Sequence, residues 1–213
     1  PHTGVPAPGG AYADIGAFEF VENAESPYDL IVEEVNGPAD IAAGGTAVVF
    51  WVVRNIGSSA VSGSWHDAIA LSPVSPGTWD ETHAAGEALS SAVLGPNKTE
   101  AFTAIVRVPG GTEGEWRWQV KANARGEVFE GRNAYNNTTE AAAPSLLTVP
   151  ALAVGSSIPG VYAGVNEPSW FKVPVAVTQN VTVVLDSAMT NGVCRIYAGY
   201  DRMPSVSHFD ARS

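Results

Sequence analysis

Apolar and polar residues alternate in short runs along most of this chain. The clearest run is Gly114 to Asn123, where Trp116, Trp118, Val120 and Ala122 share one face and Arg117, Gln119 and Lys121 share the other. A period of two is that of a strand, so this segment reads as a strand with one buried and one wet face. Phe102, Ala104, Val106 and Val108 alternate in the same way just upstream, and Pro109 to Glu113 reads as a turn joining the two. Thr46 to Asn55 differs, because Ala47, Val49, Trp51 and Val53 form one apolar row and Val48, Phe50 and Val52 form a second. The second row is either an exposed contact patch or a covered one. Cover by a loop or hairpin of the same domain is the expectation, with a neighbouring domain as the other source of cover.

Further strands are predicted at Tyr28 to Val35, Ser64 to Ser72, Glu87 to Leu94 and Ser145 to Val149. Turn signals punctuate the intervals at Asn36-Gly37-Pro38, Gly44-Gly45, Asn55-Ile56-Gly57, Pro73 to Gly77, Gly95-Pro96-Asn97 and Gly131. No stretch carries a sustained 3.6-residue period. About seven short strands between residues 28 and 149 are the count of an immunoglobulin-like β-sandwich, with Trp51, Trp116 and Trp118 in its core. The fold class is therefore all-β: an immunoglobulin-like sandwich at 28–149, followed by a partial second β domain at 150–213. Strand candidates in the latter are Trp170 to Val177, Asn180 to Leu185 and Gly192 to Tyr200. Three strands make a poor independent domain, so 150–213 is expected to be incomplete. Residues 1–27 read as a Pro/Gly-rich linker and the tail of a preceding region.

Composition narrows the function. The 213 residues carry 11 Lys+Arg against 22 Asp+Glu, a net charge of -11, which disfavours nucleic acid as a partner. The single Cys rules out an internal disulfide and a thiolate-rich zinc site. No apolar run approaches the ~20 residues of a membrane-spanning helix. The chain starts at Pro1 rather than Met, which suggests an internal piece of a longer, secreted protein.

Candidate chemistry is sparse. His2, His66, His83 and His208 are scattered, without the two-His spacing of a zinc protease, and no Gly-x-Ser-x-Gly elbow is present. Cys194 beside Val193 reads as a small core residue. Glu33-Glu34 and Asp80-Glu81 alternate across an extended chain, so neither is a ready carboxylate pair. His66 and Asp67 are adjacent in a strand and point to opposite faces, so they cannot act as an acid–base pair. Asp67 falls on the apolar row with Trp65, Ile69 and Leu71, where a carboxylate needs hydrogen bonds or a cation. The preferred role is structural, as an acceptor for a loop near Asn55 or in the segment 126–137. Glu127, Glu130, Asn133, Asn136 and Asn137 cluster oxygen atoms in one loop. With Asp67, they are the candidate calcium ligands. Against this, the loop has no Asp-x-Asp-x-Asp-Gly pattern, and Asn136 and Asn137 also suit a turn fixed by side-chain bonds to backbone. Tyr28, Trp79 and Tyr135 lie in predicted loops, where aromatics either plug a sandwich end or stack on sugars. No catalytic residue and no cofactor is expected.

Several phrases stand in the order found in the CARDB family, the cell-adhesion-related domain found in bacteria. They are Asp29-Leu-Ile-Val32, Val49-Phe-Trp-Val-Val-Arg-Asn-Ile-Gly57, Gly63-Ser-Trp-His-Asp-Ala-Ile-Ala-Leu-Ser72 and Glu127-Val-Phe-Glu-Gly-Arg-Asn-Ala-Tyr-Asn-Asn137. The central 120 or so residues resemble that family, with Ala134-Tyr135 where it often has a further Glu. Tyr12-Ala-Asp-Ile-Gly-Ala-Phe-Glu19 resembles the closing phrase of secreted right-handed parallel β-helix proteins. Trp170-Phe-Lys-Val, Val181-Thr-Val-Val-Leu-Asp186 and Tyr200-Asp-Arg-Met-Pro-Ser205 resemble the front of a bacterial pre-peptidase C-terminal domain. The resemblance implies a non-enzymatic adhesion or spacer module of a bacterial secreted or surface protein. Its expected partners are neighbouring domains of the same chain, surface proteins or glycans. The alternative is an accessory module of a secreted carbohydrate-active enzyme whose catalytic β-helix lies upstream.

Overall fold

The computed structural model describes residues 26–74, 83–158, 168–176, 178–186 and 194–213. The Tyr12–Glu19 phrase, Trp79 and Asp80-Glu81 lie outside the described residues. Nine strands build the first unit: β1 (Leu30–Asn36), β2 (Asp40–Ala42), β3 (Thr46–Asn55), β4 (Val61–Pro73), β5 (His83–Leu94), β6 (Thr99–Arg107), β7 (Gly114–Lys121), β8 (Thr138–Glu140) and β9 (Ser145–Thr148). A short 3-10 helix, Gly131–Tyr135, interrupts the loop between β7 and β8. The strands form two sheets, β1-β3-β6 and β2-β9-β7-β4-β5, with β8 paired to β7. All pairings are antiparallel except β2 with β9. The result is an immunoglobulin-like β-sandwich, and each of the seven strands expected between residues 28 and 149 is present.

Alternation decides what fills the space between the sheets. Ala47, Val49, Trp51 and Val53 of β3 are buried, and so are Trp65, Asp67, Ile69 and Leu71 of β4 and Trp116, Trp118 and Val120 of β7. Phe102 of β6 joins the two layers, stacking on Trp51 with ring centroids 5.9 Å apart and meeting Trp65 edge-on at 6.1 Å. Such pairings suit the quadrupoles of the rings and fill the core with rigid side chains.

The 109–113 turn joins β6 to β7 as expected and carries the chain across the sandwich, since the two strands belong to different sheets. Three expectations need correcting. Local cover of the outer row of β3 is not what the structure shows at Val48, which is 57% exposed beside Ile105 at 76%. Phe50 and Val52 are half-buried, lying between cross-strand neighbours Asn36, Thr103, Glu34 and Ala101. Glu33 and Glu34 do not alternate, because a bulge between Val32 and Glu34 leaves both exposed. Glu33 there pairs with Arg54 at 3.1 Å.

The last correction concerns the C-terminal segment. Trp170 to Val177 and Asn180 to Leu185 are not strands among the described residues; Lys172 makes only an isolated bridge to Ala151. Among the described residues there, β10 (Tyr197–Ala198) pairs with β11 (Ala211–Arg212). Alternation marks a ribbon able to join a sheet, but a strand exists only where a neighbour completes its ladder, and these segments lack one. Cys194 accordingly lies just outside β10, half-buried.

The register gives the sandwich a direction. Leu30 lies opposite Asn55, while Ile56 and Ser59 donate to the carbonyls of Asp29 and Pro27, so the chain enters at the Asn55 end. Leu147 lies opposite Gly114, and Ala43 donates to the Thr148 carbonyl. The chain therefore leaves at the Gly44 end, the far end of β3.

Candidate functional site

The polar residues singled out from the sequence collect at the Asn55 end, where the loop 122–137 folds over the first half of β4. Asp67 lies in the core with no exposed surface. Its Oδ2 accepts from the Trp51 indole N–H at 2.8 Å and from the Ser90 hydroxyl at 2.6 Å, and its Oδ1 accepts from the Asn123 backbone N–H at 3.0 Å. One carboxylate thus ties β3, β5 and the start of the loop to β4. The loop donor is Asn123, upstream of the expected 126–137 segment. Asn55 serves a separate turn, donating to the carbonyls of Ser59 and Leu94, both at 2.8 Å, and accepting from Gly57 N–H at 2.9 Å. Gly57 must lack a side chain, since a Cβ there would stand 2.3 Å from the Pro27 carbonyl oxygen.

Asn123 passes the network on. It adopts φ 50°, a left-handed turn that Asn tolerates better than most residues. Its amide oxygen accepts from Val128 N–H at 3.0 Å and its amide nitrogen donates to Glu130 at 2.5 Å. Glu130, 2% exposed, also accepts from Asn137 at 2.7 Å and from Leu30 N–H at 2.5 Å. Each buried carboxylate accepts from three neutral donors. Hydrogen bonding of this kind is what allows a charged group to remain in a core.

The remaining candidates point elsewhere. Asn133 donates to the Tyr28 carbonyl at 3.0 Å and Asn136 to the Asp29 carboxylate at 3.0 Å, fastening the loop to the entering chain. Glu127 lies on the outer face of β4, accepting from the His66 backbone N–H at 3.0 Å and meeting the His66 ring at 2.5 Å. Asp67 faces inward from the same strand, so the structure brings Asp67 and Glu130 into one network and leaves Glu127 outside it. Among the described residues, no three His, Cys, Asp or Glu side chains come together as a metal-binding group. Tyr135 is exposed, and Tyr28 is half-buried against the core.

Ser90, Asn123 and the indole N–H of Trp51 were not anticipated. Trp51 reads from the sequence as filler, yet an indole carries one donor, and at Trp51 that donor is used by Asp67, whereas among the described residues the buried indoles of Trp65 and Trp118 make no such bond. Asn123, following an alternating strand and preceding Gly126, carried a turn signal.

Burial pushes the Asp67 carboxyl up from its ordinary value, and the bonds from Ser90, Asn123 and Trp51 pull it part of the way back. Glu130 is raised for the same reason, opposed by Asn123, the Leu30 N–H and Asn137. Glu127 is lowered, chiefly by the His66 backbone N–H and ring, and Glu113 is lowered by Lys172 and the Val149 N–H. The signs oppose each other. A carboxyl raised in the folded state destabilises fully above its folded pKa, and that cost lifts as pH falls toward the unfolded value. A lowered one stabilises above the unfolded value and loses its contribution as pH falls through the folded pKa. From these groups, the thermal midpoint should hold or rise as pH drops from 7 toward 5, then fall below about 4. Circular dichroism melts across that range would measure it.

No family model matches the chain, and no curated protein matches it. Among solved structures, it is similar to the CARDB domain of the PF1109 protein from Pyrococcus furiosus in complex with di-metal ions. That match has 21% identity over 57% of this chain and 88% of that one, with a TM-score of 0.37. The solution NMR structure of the same domain matches at 21% identity over 57% and 94%, with a TM-score of 0.36. β-Glucosidase 3B from Thermotoga neapolitana, in complex with glucose, matches at 18% identity over 49% of this chain and 15% of that one, with a TM-score of 0.33.

Proposed function

We propose that the sandwich is a non-catalytic adhesion or spacer module of an extracellular protein. The observation that carries this is directional: the chain enters at the Asn55 end and leaves at the Gly44 end, so the module spaces apart whatever precedes and follows it. The resemblance of the 28–149 sequence to CARDB modules supports the adhesive part, with surface proteins or glycans as partners. The use of Asp67 and Glu130 as hydrogen-bond acceptors supports a structural role for the carboxylates, with no cofactor.

A link must resist being pulled along its axis. Tension applied at the two ends draws β1 past β3 and β9 past β7, loading their ladders in shear. The bonds then carry load together rather than opening one by one. Single-molecule stretching of the full chain by its termini should show the sandwich opening in one step. The gain in contour length should be about 40 nm, given 3.3–3.6 Å per extended residue. The opening force should clearly exceed that needed when the same chain is gripped at Ile56 and Phe129, both exposed at the Asn55 end. Equal forces in the two geometries would refute a link built for axial tension.

A further inference from the structure

Beyond the network at the Asn55 end, the Gly44 end carries a second set of contacts, in which the chain that leaves the sandwich folds back onto it. The Trp170 ring lies against a bare backbone surface. A Cβ on Gly110 would stand 2.4 Å from Trp170 Cε2, and one on Gly44 would stand 3.4 Å from Cε3. That surface is held firm by Gly44 N–H to the Val108 carbonyl, 2.9 Å, and Val108 N–H to the Gly45 carbonyl, 2.8 Å. Gly44 sits at φ 76°, a conformation open to glycine. Around the ring, Arg107 donates to the Pro168 carbonyl at 3.1 Å. Lys172 Nζ meets both oxygens of Glu113 at 2.7 Å. Glu113 also accepts from the Val149 N–H at 2.9 Å, so one carboxylate holds both the exit of β9 and the returning segment. The backbone closes the joint: Lys172 donates to the Pro150 carbonyl at 2.9 Å, and Leu152 donates to the Lys172 carbonyl at 2.8 Å.

We propose that Gly44, Arg107, Gly110 and Glu113 form a docking socket for Pro168, Trp170 and Lys172, so that the segment after the sandwich is clamped to it rather than tethered by a free linker. The parts differ in kind. The indole supplies apolar burial, the absent side chains at residues 44 and 110 make room for it, and the Glu113–Lys172 pair fixes its rotation. An exposed ion pair alone contributes little; here it acts with two backbone bonds and a stacked ring. The socket explains why Trp170 packs against the core although it belongs to no strand of the sandwich. It goes beyond the adhesive reading, since it holds whether or not the module binds a partner.

Amide hydrogen exchange of the full chain, read residue by residue by NMR, tests the joint. In the wild type, the amides of Val149, Leu152 and Lys172 should be protected. Trp170→Ala should speed their exchange at least tenfold while leaving Thr46–Asn55 unchanged. Gly110→Ala should do the same with Trp170 intact, because the new methyl group displaces the ring. Unprotected Leu152 and Lys172 amides in the wild type would overturn the proposal, as would unchanged exchange in both variants. Equal acceleration of Thr46–Asn55 in Trp170→Ala would also overturn it, by making Trp170 an ordinary core residue. Should Gly110→Ala fail to fold, Glu113→Gln gives the second test. It keeps an acceptor for Val149 but loses the pair with Lys172, so the Lys172 and Leu152 amides should exchange faster while Val149 stays protected; no change at Lys172 and Leu152 would count against the clamp.

Discussion

Asp67→Ala should destabilise the sandwich by about 3 kcal/mol. The substitution strands three donors in a region without solvent: the Trp51 indole, the Ser90 hydroxyl and the Asn123 N–H. Each buried unsatisfied group costs roughly 1–3 kcal/mol, and the sum is offset in part because a charged group no longer has to be desolvated. The Ser90 hydroxyl can also rotate to another acceptor, which keeps the net below the sum of the three. For a domain of this size, the loss corresponds to a fall in thermal midpoint of about 10 °C. Asp67→Asn should cost less, about 1–2 kcal/mol, since the amide oxygen keeps the Asn123 N–H and the Ser90 hydroxyl can turn to receive the new N–H, so that only the Trp51 indole loses its acceptor. Thermal and urea denaturation of the two variants would measure the difference. A loss in Asp67→Ala no larger than in Asp67→Asn would mean that the three bonds do not hold the core.

The second large effect is expected at Trp51. Truncation to Ala should cost about 3–5 kcal/mol, a large share of the 5–15 kcal/mol that stabilises a typical domain. Two losses combine. The cavity removes the stacking partner of Phe102, which also supports Trp65 across the sandwich. The indole N–H that Asp67 accepts disappears as well. Trp51→Phe separates them in part, since it keeps a ring against Phe102 but loses the donor and the second ring of the indole, at a cost of about 2–3 kcal/mol. It should also raise the Asp67 carboxyl further, because one of the bonds holding it down is gone. The pH dependence of stability would then steepen on the acid side of neutrality, with folded protein gaining more on acidification than the wild type. Urea denaturation of Trp51→Phe at pH 7 and pH 5 would register that change.

The strands of the sandwich were legible because alternation is a local property and each strand has one buried face. Trp116, Trp118 and Val120 announce an inward row without reference to any partner strand. The inward placement of Asp67 and the outward placement of His66 followed from the same parity. What parity does not carry is which strands become neighbours. The turn at 109–113 marks where one strand ends and the next begins, but not that the two lie in different sheets, since pairing depends on contacts far apart in the chain. The three-residue strands β2 and β8 were too short to show a period. In the C-terminal segment, Trp170 to Val177 alternates in sequence, but among the described residues it makes no ladder beyond the bridge at Lys172.

The polar network was legible only in part, for a chemical reason. Carboxylates and carboxamides stand out because their residue types suggest chemistry, so Asp67, Glu127, Glu130, Asn133, Asn136 and Asn137 were marked as one group. Donors hidden in other residues do not stand out. The Trp51 indole and the Asn123 backbone N–H turn Asp67 into a structural acceptor, and the His66 pairing draws Glu127 to the opposite face of β4. A cluster in sequence is thus divided in space by the two-residue period of the strand it contacts.

The central claim is that the buried carboxylates are already satisfied by protein donors and need no cation. The most direct test is calorimetric titration of the wild-type chain with calcium up to millimolar concentration, paired with thermal melts in calcium and in chelator. The account predicts no saturable heat and superimposable melts. A saturable heat accompanied by a rise in melting temperature, both abolished in Glu130→Gln, would contradict it, because the carboxylate would then be a ligand rather than an acceptor for Leu30, Asn123 and Asn137.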